Sequence, residues 1–101
     1  ELFLTNRVLS SAEALDWGLV NRVVPADKLA EEAGALARQL AEGPTGAYGS
    51  VKQLLESAAS AGLETQMEQE SLAIAAAGAS ADGQEGIRAF LEKRPPRFTG
   101  A

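Results

Sequence analysis

The chain is poor in groups that do chemistry, and those it has are unevenly placed. It contains no Cys and no His. That removes the thiolate nucleophile, the disulfide framework, the commonest neutral-pH base and the commonest metal ligands, so no metal site is expected. Carboxylates remain. Glu64 and Glu68 stand four apart; on a helix they share a face, which makes them candidates for acid–base work. A solvated face beside Gln66 and Gln69 is the simpler reading of the same spacing. The run Gly43-Pro44-Thr45-Gly46-Ala47-Tyr48-Gly49-Ser50 is no phosphate loop, because Lys52 comes after Ser50 and Val51 rather than after a glycine. Further along, Phe90 and Lys93 stand three apart with Arg94 next. An aromatic face and a cation at one helix end suit stacking on a purine and meeting a phosphate. A packed Phe90 and a Lys93 that complements the helix dipole account for the same residues. Trp17 and Tyr48 lie within apolar patterns and read as packing residues.

The charge distribution sharpens the picture. Residues 1–86 carry five Lys/Arg against thirteen Asp/Glu, whereas residues 87–101 carry Arg88, Lys93, Arg94 and Arg97 against Glu92 alone. An acidic body argues against general nucleic-acid binding, which needs a broad cationic face. The small basic end suits one phosphorylated small molecule. The longest stretch free of polar side chains, Leu72–Ala79, has eight residues, far below the roughly 20 that cross a bilayer, so a soluble chain without a membrane partner is expected. No charged-then-apolar leader stands before Glu1; with no Cys, the expected location is the cytoplasm.

The elements that position these residues are mainly helical. At 101 residues one compact domain is expected, and 20 of the 46 apolar residues are Ala, which suits closely spaced helices. Ser10-Ser11-Ala12-Glu13 has capping-box spacing, predicting a short helix that Gly18 stops with a left-handed residue. Leu19–Val24, with its β-branched residues before Pro25, predicts a short extended or β element near 20–24. Leu29, Ala33, Leu36 and Leu40 predict a helix over 26–42. Pro44 is placed to open the next, with Tyr48, Val51, Leu55 and Ala58 as its apolar stripe. Gly46 and Gly49 in that helix predict close approach by a neighbour. Leu63, Met67 and Ile74, with Leu72 beside them, predict a third helix through Ala79. Asp82 and Glu85 read as a cap and its reach-back partner for a last helix over 83–93, with Ile87, Phe90 and Leu91 on its apolar side. Pro95-Pro96 ends it, leaving an extended tail.

In this order the segments resemble the crotonase, or enoyl-CoA hydratase/isomerase, family. The resemblance rests on residues 2–25, Leu-Phe-Leu-Thr-Asn-Arg-Val-Leu-Ser-Ser-Ala-Glu-Ala-Leu-Asp-Trp-Gly-Leu-Val-Asn-Arg-Val-Val-Pro. It rests equally on Asp82–Phe98, where Glu85-Gly86 is followed by Phe90, Lys93 and Arg94. It implies the C-terminal part of a longer enzyme: residues 1–25 as the end of the crotonase-like core, residues 26–101 as a helical oligomerisation region. It implies a fragment with no catalytic residues of its own, since the oxyanion hole for the thioester enolate belongs to an upstream part of such enzymes. The substrate implied is a coenzyme A thioester, with no tightly bound cofactor. Phe90 and Lys93 match the positions beside the adenine and phosphate of coenzyme A, and Arg94 and Arg97 are candidate helpers. Partners implied are further copies, as a trimer or hexamer, or the N-terminal part. Gly78 stands where some naphthoate-type members carry Tyr, so hydratase/isomerase members are the closer likeness. From the residues alone, a free-standing helical interaction module without ligand is the alternative.

Overall fold

A computed structural model describes residues 1–101. It is all-helical: α1 (Leu2–Thr5), α2 (Ser11–Asp16), a 3-10 turn (Ala26–Lys28), α3 (Leu29–Ala41), α4 (Thr45–Ala58), α5 (Leu63–Ala79) and α6 (Ala81–Glu92). The chain divides into two units, Glu1–Gly34 and Ala35–Ala101, with the boundary inside α3.

In the first unit the capping box forms as its spacing requires. The Glu13 amide donates to Ser10 Oγ at 3.2 Å, and the Ser10 amide donates to Glu13 Oε2 at 3.0 Å. The Ser10 bonds to the carboxylate, the backbone one first, and the nearby Arg7 hold Glu13 below the usual carboxylate range. Arg7 pairs with Glu13 and lies 5.2 Å from the centre of the Trp17 ring, so Trp17 stacks on a cation as well as packing. Gly18 takes φ +72° and ends the helix. The expected extended element near 20–24 is absent: no strand forms. A strand needs a ladder partner for its amides and carbonyls, and none exists in this chain. The Leu19 and Val20 amides instead donate to the Ala14 carbonyl at 2.8 and 3.3 Å, folding the segment back on the end of α2.

In the second unit α5 packs against both α4 and α6. The seam is made of small and polar residues. Ala47, Ser50, Leu54 and Ser57 are the half-buried stripe of α4, and Gln66, Gln69, Ala73 and Ala77 are that of α5. Ser57 Oγ donates to Gln66 Oε1 at 3.0 Å, and Gln66 Nε2 donates to the Leu54 carbonyl at 3.2 Å. The stripes expected inside, Tyr48–Val51–Leu55–Ala58 on α4 and Leu63–Met67–Ile74 on α5, are exposed. Small residues let backbones approach closely, so the seam takes them and the bulkier stripes point outward. Of the two α4 glycines, Gly46 faces the Gly100 carbonyl and Gly49 faces open space.

The result is a large surface. Two separate compact bodies of these sizes together expose roughly 6,500 Å², whereas the chain exposes 8257 Å². Only Ala89 among the apolar residues is buried. No helix is long and apolar enough to cross a membrane.

Candidate functional site

α5 and α6 are separated by a single residue, Ser80. It caps α6, accepting from the Gly83 amide at 3.0 Å, while its own hydroxyl donates to the Ala77 carbonyl at 2.8 Å. The expected cap was Asp82; it lies instead in the first turn of α6 and is 5% exposed. The sharp reversal at Ser80 brings Gly83 against the Ala77 backbone, where a side chain has no room. Asp82 is thereby turned toward residues 99–101. Its Oδ1 accepts from the Thr99 amide at 2.7 Å and its Oδ2 from the Gly100 amide at 2.8 Å, while the Asp82 amide donates to the Ala101 carbonyl at 2.8 Å. The tail is therefore pinned to the start of α6. A mainly apolar cavity of about 480 Å³ lies here, with Ala47, Ser50, Gly83, Ile87 and Phe98 in its wall. Its one carboxylate, Asp82, is occupied by the tail, so the cavity presents no free acid or base.

The other end of α6 is built differently. Lys93 leaves the helix in the left-handed region at φ +54°, with its amide donating to the Phe90 carbonyl at 3.2 Å and the Arg94 amide to the Ala89 carbonyl at 3.0 Å. This is a Schellman turn with lysine where glycine is usual. Spacing along the sequence places Lys93 within the helix on the Phe90 side; the structure takes it off the helix but ties it to Phe90 through that backbone bond. Phe90 is 82% exposed, next to Ala89 at 1%. Ile87 and Leu91, expected to pack with Phe90, are exposed as well, so the apolar side of α6 faces outward.

The four cations at this end fall into two groups. Arg94 is committed internally: Nη1 and Nη2 donate to Glu85 Oε1 and Oε2 at 2.6 and 2.9 Å, and Nε donates to Glu92 Oε2 at 2.6 Å. Glu85 Oε1 also accepts from the Arg97 amide at 2.9 Å. The Arg94 fork, then the Arg97 amide, pull the Glu85 carboxyl down to about 2, and the two carboxylates raise Arg94 above its ordinary value. Lys93, Arg88 and the Arg97 side chain form no ion pair and remain available to an anion. Of the two candidate helpers, Arg94 is thus engaged by two carboxylates of its own chain, whereas the Arg97 side chain forms no ion pair. Beside the turn lies a hollow of about 560 Å³ lined by Glu85, Arg94, Pro95 and Arg97.

Residues Glu85 and Arg94 are nine apart, on opposite faces of any continuous helix, so spacing gave no sign of the pair. It forms because the chain reverses at Lys93. Glu64 and Glu68 are both exposed on α5, and no hydrogen bond links them.

The chain is thus all-helical, with a seam of small and polar residues between α4 and α5 and with its bulkier apolar stripes facing outward. The sequence profile of the enoyl-CoA hydratase/isomerase family matches residues 1–101 throughout, and the chain belongs to that family. It is 44% identical over 99 residues to 1,2-epoxyphenylacetyl-CoA isomerase of Escherichia coli, a match that covers 98% of this chain and 38% of that protein. Among solved structures, an enoyl-CoA hydratase of Geobacillus kaustophilus superposes with a TM-score of 0.87 at 34% identity, over 97% of this chain and 37% of that one. A second Geobacillus kaustophilus enoyl-CoA hydratase structure gives 0.84 at 42% identity, over 92% and 36%. The chain thus spans less than two-fifths of the length of these relatives.

Proposed function

We propose that residues 1–101 are the C-terminal part of a longer crotonase-family acyl-CoA enzyme. In this reading they serve subunit assembly and form part of the coenzyme A pocket, and they are inactive alone. The observation that carries it is the match of the whole chain to little more than a third of each relative. Residues 1–25 then end the catalytic core and residues 26–101 form the oligomerisation region. The outward stripes of α4, α5 and α6 support assembly, because apolar area of this extent is covered in a working protein. The occupants are the rest of the enzyme and further copies, as a trimer or hexamer. Substrate is a coenzyme A thioester, no cofactor is tightly bound, and the compartment is the cytoplasm.

Phe90 and Lys93 are the coenzyme-binding residues. An exposed ring offers a stacking face for adenine, and an ammonium without an ion pair, three residues on, meets a phosphate. Lys93→Ala in the full-length protein weakens coenzyme A binding about threefold to tenfold, the larger loss at low salt. Calorimetric titration at two ionic strengths checks this, and an affinity independent of both the substitution and salt rejects the assignment. The purified 101-residue chain is expected not to hydrate crotonyl-CoA or isomerise an enoyl-CoA. Turnover near that of a full-length relative rejects the division of labour. Sedimentation separates this reading from the alternative of a free-standing interaction module: trimers or hexamers support assembly through these helices, a stable monomer weakens it, and folding only with a partner favours the module.

A further inference from the structure

We infer that Glu85 is a positioning residue for the Phe90–Lys93 pair, acting through Arg94 to fix the direction in which Lys93 is presented. The inference rests on the coenzyme A reading above. Lys93 is the last residue before the chain turns away, and its own side chain is held by no ion pair. A left-handed lysine is an unfavourable backbone state, so the turn must be held from outside. Two backbone bonds close it, and the Glu85 carboxylate locks the residues just beyond it. Both carboxylate oxygens engage the Arg94 fork, and Oε1 also takes the Arg97 amide. One side chain thereby ties the middle of α6 to residues on the far side of Lys93. Arg88 and Glu92 are the other charged groups acting on this pair. A bidentate guanidinium–carboxylate contact fixes orientation as well as charge, and a small displacement of a binding group is enough to cost affinity.

The test uses the full-length protein with crotonyl-CoA and with crotonyl-pantetheine, which lacks the nucleotide end. Glu85→Gln and Arg94→Lys are each expected to weaken crotonyl-CoA about fivefold and to leave crotonyl-pantetheine within about twofold. Arg94→Lys keeps the charge and removes only the fork, so it decides the matter if Glu85→Gln does not fold. Equal losses for both ligands identify general destabilisation and overturn the inference. Unchanged or tighter crotonyl-CoA binding overturns it too; in Glu85→Gln the tighter case shows Arg94 freed to act as a direct ligand. If Phe90→Ala and Lys93→Ala weaken crotonyl-CoA while Glu85→Gln and Arg94→Lys do not, positioning fails and the coenzyme A reading stands. If none of the four does, both fail.

Discussion

The two ends of α6 treat charge in opposite ways. At the start, Asp82 is buried and its oxygens are taken by the amides of Thr99 and Gly100. At the exit, Lys93 is exposed on a strained backbone and paired with nothing. A charge satisfied within its own chain holds structure; a charge left unpaired on an ordered turn is available to a ligand. Between them the Glu85–Arg94 pair belongs to the first kind in its bonds and to the second in its consequence, because it orders the turn that carries Lys93.

The sharpest way to break this contrast is to remove the buried anchor. Asp82→Ala is expected to cost about 2–3 kcal/mol and to free the tail, read by denaturant unfolding and by proteolysis after residue 95. Asp82→Asn, which sets an amide donor against the Gly100 or Thr99 amide, gives a smaller loss in the same direction. Gly83→Ala comes next, at about 1–3 kcal/mol, because its methyl meets the Ala77 backbone; a neutral result would mean that the α5–α6 reversal gives way easily. Glu85→Gln separates charge from shape. Because the folded carboxyl is drawn down to about 2 from 4.5, its contribution to stability is fully present above about pH 4.5 and disappears as pH falls toward 2. The variant is therefore less stable than the parent at neutral pH, and the gap closes across that acid window in an equilibrium unfolding series. The smallest effect sharpens the comparison: Lys93→Gly relieves the left-handed backbone and raises stability by up to about 1 kcal/mol while coenzyme A affinity falls. Stability and affinity moving together would place Lys93 among the structural residues.

Much of the local structure was legible because helix signals act over three or four residues. Ser10 and Glu13 formed their box, Gly18 took its positive φ, and α3, α4, α5 and α6 begin and end within a few residues of where periodicity put them. The side each helix buries was not legible. On α4, Ala47–Ser50–Leu54–Ser57 and Tyr48–Val51–Leu55–Ala58 share one period and differ by a single residue, so periodicity cannot choose between them. Choosing the bulkier stripe assumes that the chain buries its own largest side chains, which fails here because the α4–α5 seam takes small and polar residues that let the helices approach closely. The same assumption turned Ile87, Phe90 and Leu91 inward on α6. The extended element near 20–24 failed for a related reason: β-branched residues favour strands only where another strand supplies the ladder.

The sequence by itself determined the helical character and the family, since these depend on composition and on motifs read along the chain. Tertiary structure alone decided that Asp82 clamps the tail, that Arg94 is tied to Glu85, and that Lys93 leaves the helix. Those pairings join residues 9 to 18 positions apart, and such partners meet only after the chain has reversed direction, which no local pattern encodes.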